Sequence, residues 1–132
     1  MTLRIAALVT LVLGAMLVLG TWDGLWEPLD LPQGFPALTT QLGGVALVAL
    51  AYLLWTAAAR PELAPTAAIA GFIALGGGAG VIASWLLFRD QVDLEVGDRG
   101  TGILIGTAIV LLLVALALAR AALGARRDVD RI

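Results

Sequence analysis

Apolar residues run almost unbroken through four stretches, residues 3–20, 42–59, 67–88 and 103–123, and polar residues gather in the connections between them. Each stretch is about 18–22 residues long, which at 1.5 Å per residue matches a hydrocarbon core about 30 Å thick. None of them alternates polar and apolar positions as a membrane strand must, so backbone satisfaction in lipid leaves only the helix. The pattern predicts an all-α integral membrane four-helix bundle, one domain over 1–132, built from two transmembrane hairpins with a cytoplasmic tail at 124–132. A secretory signal ending at Gly20 is the competing reading of the first stretch. That stretch is longer than the 7–15 residues of an ordinary signal core, which favours a retained helix.

The connections refine this picture. Residues 60–65, Arg-Pro-Glu-Leu-Ala-Pro, form a short link that makes spans two and three antiparallel neighbours. Pro61 and Pro65 belong outside a helix interior, and Thr66 is the expected cap of span three. Residues 21–36 read TWDGLWEPLDLPQGFP. Trp22, Leu25, Trp26 and Leu29 fall at i, i+3, i+4 and i+7, one face of a short helix, before Pro28, Pro32 and Pro36 force a turning path. A stub in the headgroup layer with its indoles facing the apolar side fits this spacing, since tryptophan favours that boundary. The alternative is an outer-face interface patch made of Trp22, Asp23, Trp26 and Glu27 together with the second connection.

In that second connection, residues 89–101, Val92, Leu94 and Val96 alternate with Asp93 and Glu95, the period of a strand. Four acids at 90, 93, 95 and 98 raise calcium as one reading, but the spacing is not that of a helix–loop–helix calcium loop. A solvated loop, or an edge that pairs with a partner strand, is the other. The two halves of the chain echo one another faintly, Gly20-Thr21-Trp22 with Ala83-Ser84-Trp85 and Ala58-Ala59-Arg60 with Leu118-Ala119-Arg120. A duplicated hairpin and chance likeness explain this equally well.

Composition supports the membrane class. Hydrophobic residues make up 61% of the 132 and charged residues only 14%, against roughly 25% charged in an average soluble domain. Charge also orients the chain. Every cation is arginine, and four crossings put Arg4, Arg60, Arg120, Arg126, Arg127 and Arg131 on one side, with Glu62, Asp128 and Asp130. Arg89 and Arg99 lie on the other with Asp23, Glu27, Asp30, Asp90, Asp93, Glu95 and Asp98, a formal 2 − 7 = −5. Six arginines against two in short connections place both termini in the cytoplasm.

The chemistry of the side chains then narrows function. The chain has no histidine and no cysteine, so bis-imidazole haem, thiolate iron–sulfur, ordinary zinc and thiol redox sites cannot be built from it. No charged residue lies mid-span, which leaves a proton relay, voltage sensor or ion-coupled carrier without its element. Thr10, Thr56, Ser84 and Thr107 are the polar atoms within the spans, and such hydroxyls ordinarily bond back to their own helix. No catalytic residue, cofactor, metal or nucleic-acid site is expected, and the chain is not expected to be an enzyme. Glycine is more informative. Gly76 and Gly80 form a GxxxG continued by Ser84, and Gly102 and Gly106 form a second, so these four are the expected helix-packing residues. The seam they serve lies either inside the bundle or against another subunit.

Trp22-Asp23-Gly24-Leu25-Trp26 resembles the W…GLW signature of claudin-type four-span proteins, but that family follows it with two cysteines, and this chain has none. A proline-bearing first connection, Gly43-Gly44 at the opening of span two and Ala59-Arg60-Pro61-Glu62 after it resemble the DoxX-like group of small bacterial four-helix membrane proteins, over roughly residues 13–88. That resemblance implies a small accessory protein of the bacterial inner membrane and carries over no catalytic residue. Two functions remain as expectations. One is a non-catalytic accessory or structural subunit that joins other membrane subunits or its own copies. The other is a small binder or carrier of a lipid, quinone or other apolar molecule between glycine-rich helices.

Overall fold

The computed structural model describes residues 1–19, 37–88 and 96–129, and they form four helices: α1 (Thr2–Leu19), α2 (Ala37–Ala57), α3 (Ala64–Leu87) and α4 (Asp98–Val129). All four are long and apolar enough to cross a membrane. Among the described residues the architecture is the expected one, all-helical with four helices.

The helix ends differ from the apolar blocks, for local reasons. α2 starts five residues before position 42, because Thr39, Thr40 and Gln41 extend the helix although they end the greasy run. α3 starts at Ala64, with Leu63 as its N-cap and no side chain capping it. Thr66 therefore lies inside the first turn rather than capping it. Pro65 sits where its missing N–H has no intrahelical partner to lose. α4 runs from Asp98, an acid favourable to a helix N-terminus, through Val129. Helix thus continues into the stretch expected to be a tail: nothing between Arg120 and Val129 breaks it except Gly124, and one glycine costs only about 1 kcal/mol. At 32 residues α4 is about 48 Å long, well beyond a hydrocarbon core.

The α2–α3 link is a series of turns, with the Ala59 N–H donating to the Thr56 carbonyl at 3.1 Å, Arg60 N–H to Ala57 at 3.2 Å and Leu63 N–H to Arg60 at 3.0 Å. It brings the end of α2 beside the start of α3, yet these two helices pack much less extensively than α1 with α2 or α3 with α4. A short link fixes direction and proximity at one end only. The extent of packing follows the small-residue faces.

Those faces decide the core. Ala6, Ala7, Leu54, Ala68, Leu75, Ala79, Leu111, Ala115, Leu118 and Ala122 form one buried cluster. Alanine dominates it, so backbones rather than long side chains set the spacing. α1 and α2 meet at Gly14 and Gly44. A Cβ on Gly14 would lie 2.8 Å from the Gly44 carbonyl oxygen, and one on Gly44 would lie 2.7 Å from that of Gly14. Neither backbone could carry a side chain there. Gly71 of α3 receives Leu118 of α4, whose Cδ1 would be 2.8 Å from an added Cβ, with Leu54 of α2 at 3.2 Å. Because those neighbours are flexible leucine ends, Gly71→Ala is expected to cost only about 1 kcal/mol, read from the midpoint of denaturant unfolding in micelles.

Candidate functional site

Three features stand out once the helices are placed. The first is the pattern of open glycines. Gly76 makes only ordinary contact, with the Ala115 Cβ 3.6 Å and Phe72 Cε2 3.9 Å from an added Cβ, while Gly77, Gly80, Gly102 and Gly106 would meet nothing within 4 Å among the described residues. The tight approaches between described helices are thus at Gly14, Gly44 and Gly71, and of the two seams expected for Gly76, Gly80, Gly102 and Gly106 the open positions leave the one against another subunit as a proposal. The physical reason is rotational: Gly76 and Gly80 are neighbours on α3, but its buried face runs through Ala68, Gly71, Leu75 and Ala79. Sequence reasoning missed Gly14 because it searched for paired glycines. The signal was a broader stripe of small residues, Ala7, Thr10 and Gly14, all buried on α1.

The second feature is a cleft of about 530 Å³ between α1 and α4, lined by Leu8, Val9, Val12 and Leu13 on one side and Ile103, Gly106, Thr107, Val110 and Leu111 on the other. It exists because α1 and α4 touch only lightly. Gly106 lends it width, having no side chain to fill the gap.

The third is the end where α1 begins and α2 stops. Arg4 lies over the Trp55 ring with its guanidinium carbon 5.9 Å from the centroid, within cation–π range. Arg60 follows in the link. Arg120 leaves α4 two residues beyond Leu118, which is buried beside Gly71 and Leu54. Arg4, Arg60 and Arg120 therefore share one end of the bundle, with Glu62 as the one described carboxylate in the link.

The hydroxyls behave as their setting requires. Thr10 Oγ1 is fully buried and donates to the Ala6 carbonyl at 2.7 Å, Thr56 Oγ1 to Tyr52 at 2.8 Å, Ser84 Oγ to Val81 at 2.9 Å and Thr101 Oγ1 to Gly97 at 3.1 Å. A hydroxyl so engaged in its own helix is a poor nucleophile. Among the described residues no three histidine, cysteine, aspartate or glutamate side chains come together, and no buried side-chain nitrogen or oxygen lacks a partner. Of the expected outer-face patch, Trp22, Asp23, Trp26, Glu27, Val92, Asp93, Leu94 and Glu95 lie outside the described residues. Val96 is half-buried just before α4.

Comparison with known proteins finds no matching family model, no matching curated protein and no matching solved structure.

Proposed function

We propose that this chain is a multi-pass protein of a bacterial plasma membrane, both termini cytoplasmic, acting as a non-catalytic accessory or structural subunit of a larger membrane complex. The observation that carries this reading is the set of open glycines. Each glycine in a helix costs about 1 kcal/mol relative to alanine. At Gly14, Gly44 and Gly71 a close approach explains that cost, but at Gly77, Gly80, Gly102 and Gly106 nothing among the described residues does. Between membrane helices such flat faces are where another helix comes close and gains dispersion contact. The DoxX-like resemblance, with its implication of a small accessory protein, agrees with this reading. The gathering of arginine at one end supports the orientation.

Purification of the full chain in mild detergent tests it. Stoichiometric co-elution with other subunits, or with further copies, is the expected result, lost on Gly80→Leu while helicity is retained. A monomer whose elution is unchanged by Gly80→Leu and by Gly106→Leu overturns it. Within the chain itself, Gly80→Ala is expected to raise stability by up to about 1 kcal/mol, because alanine gains helix propensity and meets nothing.

The cleft between α1 and α4 favours a second reading, a small binder or carrier of a lipid, quinone or other apolar molecule. Extraction of the purified protein with organic solvent separates the two. A stoichiometric apolar compound, displaced when Gly106→Phe fills the cleft, supports the carrier.

A further inference from the structure

We infer that the arginine end of the bundle is a docking surface for the headgroup of an anionic phospholipid, with Arg4 above Trp55 as its anchor and Arg60 and Arg120 as flanking cations. The inference rests on the membrane-spanning reading and adds to it a specific lipid class and location. An arginine in the first turn of an apolar helix carries a charge that a plain hydrophobic end does not need. Its guanidinium carbon lies over the indole, 5.9 Å from the ring centroid, at the outer edge of cation–π range. A cation–π attraction does not consume the guanidinium N–H donors, and these recognise phosphate in a forked geometry. The ring also removes rotamer freedom before a ligand arrives, which lowers the entropic cost of binding.

The charge balance points the same way. Arg4, Arg60 and Arg120 against Glu62 give 3 − 1 = +2 among the described charged side chains of the helix ends and link here. None of the three arginines makes an ion pair with another described residue. Arg120 lies 22 residues beyond Asp98, about 33 Å along the helix axis, which is one hydrocarbon thickness from the opposite end.

Apolar surface beside the cations distinguishes a lipid from a soluble anion or an acidic protein. Leu8 and Val12 follow Arg4 at i+4 and i+8 and are exposed, and Tyr52, 71% exposed, stands one turn from the half-exposed Trp55 on α2. A ligand gripping Arg4 therefore has greasy helix directly beside it. An amphiphile with an anionic head and an acyl tail satisfies both surfaces at once, whereas free phosphate satisfies only one.

The test uses the full chain with Trp22, Trp26 and Trp85 changed to phenylalanine, so that Trp55 alone reports, reconstituted in phosphatidylcholine vesicles. Phosphatidylglycerol or phosphatidylcholine, brominated near the head of the acyl chain, is titrated in, and quenching gives their relative affinity. Preference for the anionic lipid is expected, falling about fivefold in Arg4→Gln, since each arginine near an anionic surface is worth roughly that factor. Arg4→Lys is expected to keep most of it, and Arg60→Gln with Arg120→Gln to lower it further. Equal quenching by the two lipids, or a preference that Arg4→Gln leaves intact, overturns the inference. So does displacement of phosphatidylglycerol by millimolar inorganic phosphate, which would make a soluble anion the occupant. Failure of the chain to float with the vesicles is a separate outcome and strikes the membrane reading itself.

Discussion

Gly44→Ala is expected to destabilise the protein by about 2 kcal/mol, and Gly44→Leu by more, while Gly43→Ala next to it is neutral or stabilising. The contrast follows from where each Cβ would point. At Gly44 it would lie 2.7 Å from the Gly14 carbonyl oxygen and 2.8 Å from the Val18 amide nitrogen, so it meets backbone that cannot rotate away. Relief requires α1 and α2 to separate, and that forfeits dispersion contact along their most extensive interface. Overpacking of this kind costs about 1–3 kcal/mol even where side chains can yield. At Gly43 an added Cβ meets nothing within 4 Å, and alanine recovers up to about 1 kcal/mol of helix propensity. Unfolding of each variant by sodium dodecyl sulfate in mixed micelles, followed by circular dichroism, measures the difference. Equal midpoints for the two substitutions would show that α1 and α2 do not touch at Gly14 and Gly44.

Leu113→Arg is the second large effect, expected at about 3 kcal/mol against insertion of α4. Leu113 is 62% exposed and sits at the middle of the apolar block 103–123. In water, arginine at so exposed a helix position changes stability by less than about 0.5 kcal/mol. In a bilayer the same site is the deepest point of the helix, where a guanidinium is dehydrated or drags water with it. Leu123→Arg, equally exposed but one turn beyond Arg120, is expected to be tolerated because its side chain reaches the headgroups. An insertion assay scoring crossing of the α4 segment separates the cases. If Leu113→Arg and Leu123→Arg insert alike, α4 is not lipid-exposed at its centre.

The lipid reading of the exposed faces is consistent with how little of each span is covered. Only 22% of the residues in the apolar windows of α1, α2 and α3, and 17% in that of α4, are buried. Exposed Leu8, Leu53, Ile73 and Leu112 illustrate the rest. In water that surface would be a severe liability, whereas acyl chains cover it at no cost.

How much of the molecule could be read from the chain differs by feature. The four helices were legible because length and unbroken apolarity leave no other way to satisfy a backbone in lipid. The hydroxyl pairings at Thr10, Thr56 and Ser84 were legible too, since each partner lies three or four residues back on the same helix. The helix ends were less so. Pro65 and Thr66 read as a boundary and a cap, but Pro65 is equally at home in a first turn, and backbone turns in the link fix the start of α3 instead.

The chain alone thus set the number, kind and approximate length of the elements, together with an inventory that lacks imidazole and thiol. These depend on composition and on local hydrogen bonding, and neither needs a neighbour. Which glycines are crowded and which are open, the light contact that leaves a cleft between α1 and α4, and the placing of Arg4 on Trp55 were decided by tertiary packing. A uniformly apolar helix carries little amphipathic signal to say which way it faces. Rotation about its axis is chosen by which small residues let two backbones meet, and that choice exists only once both helices are present.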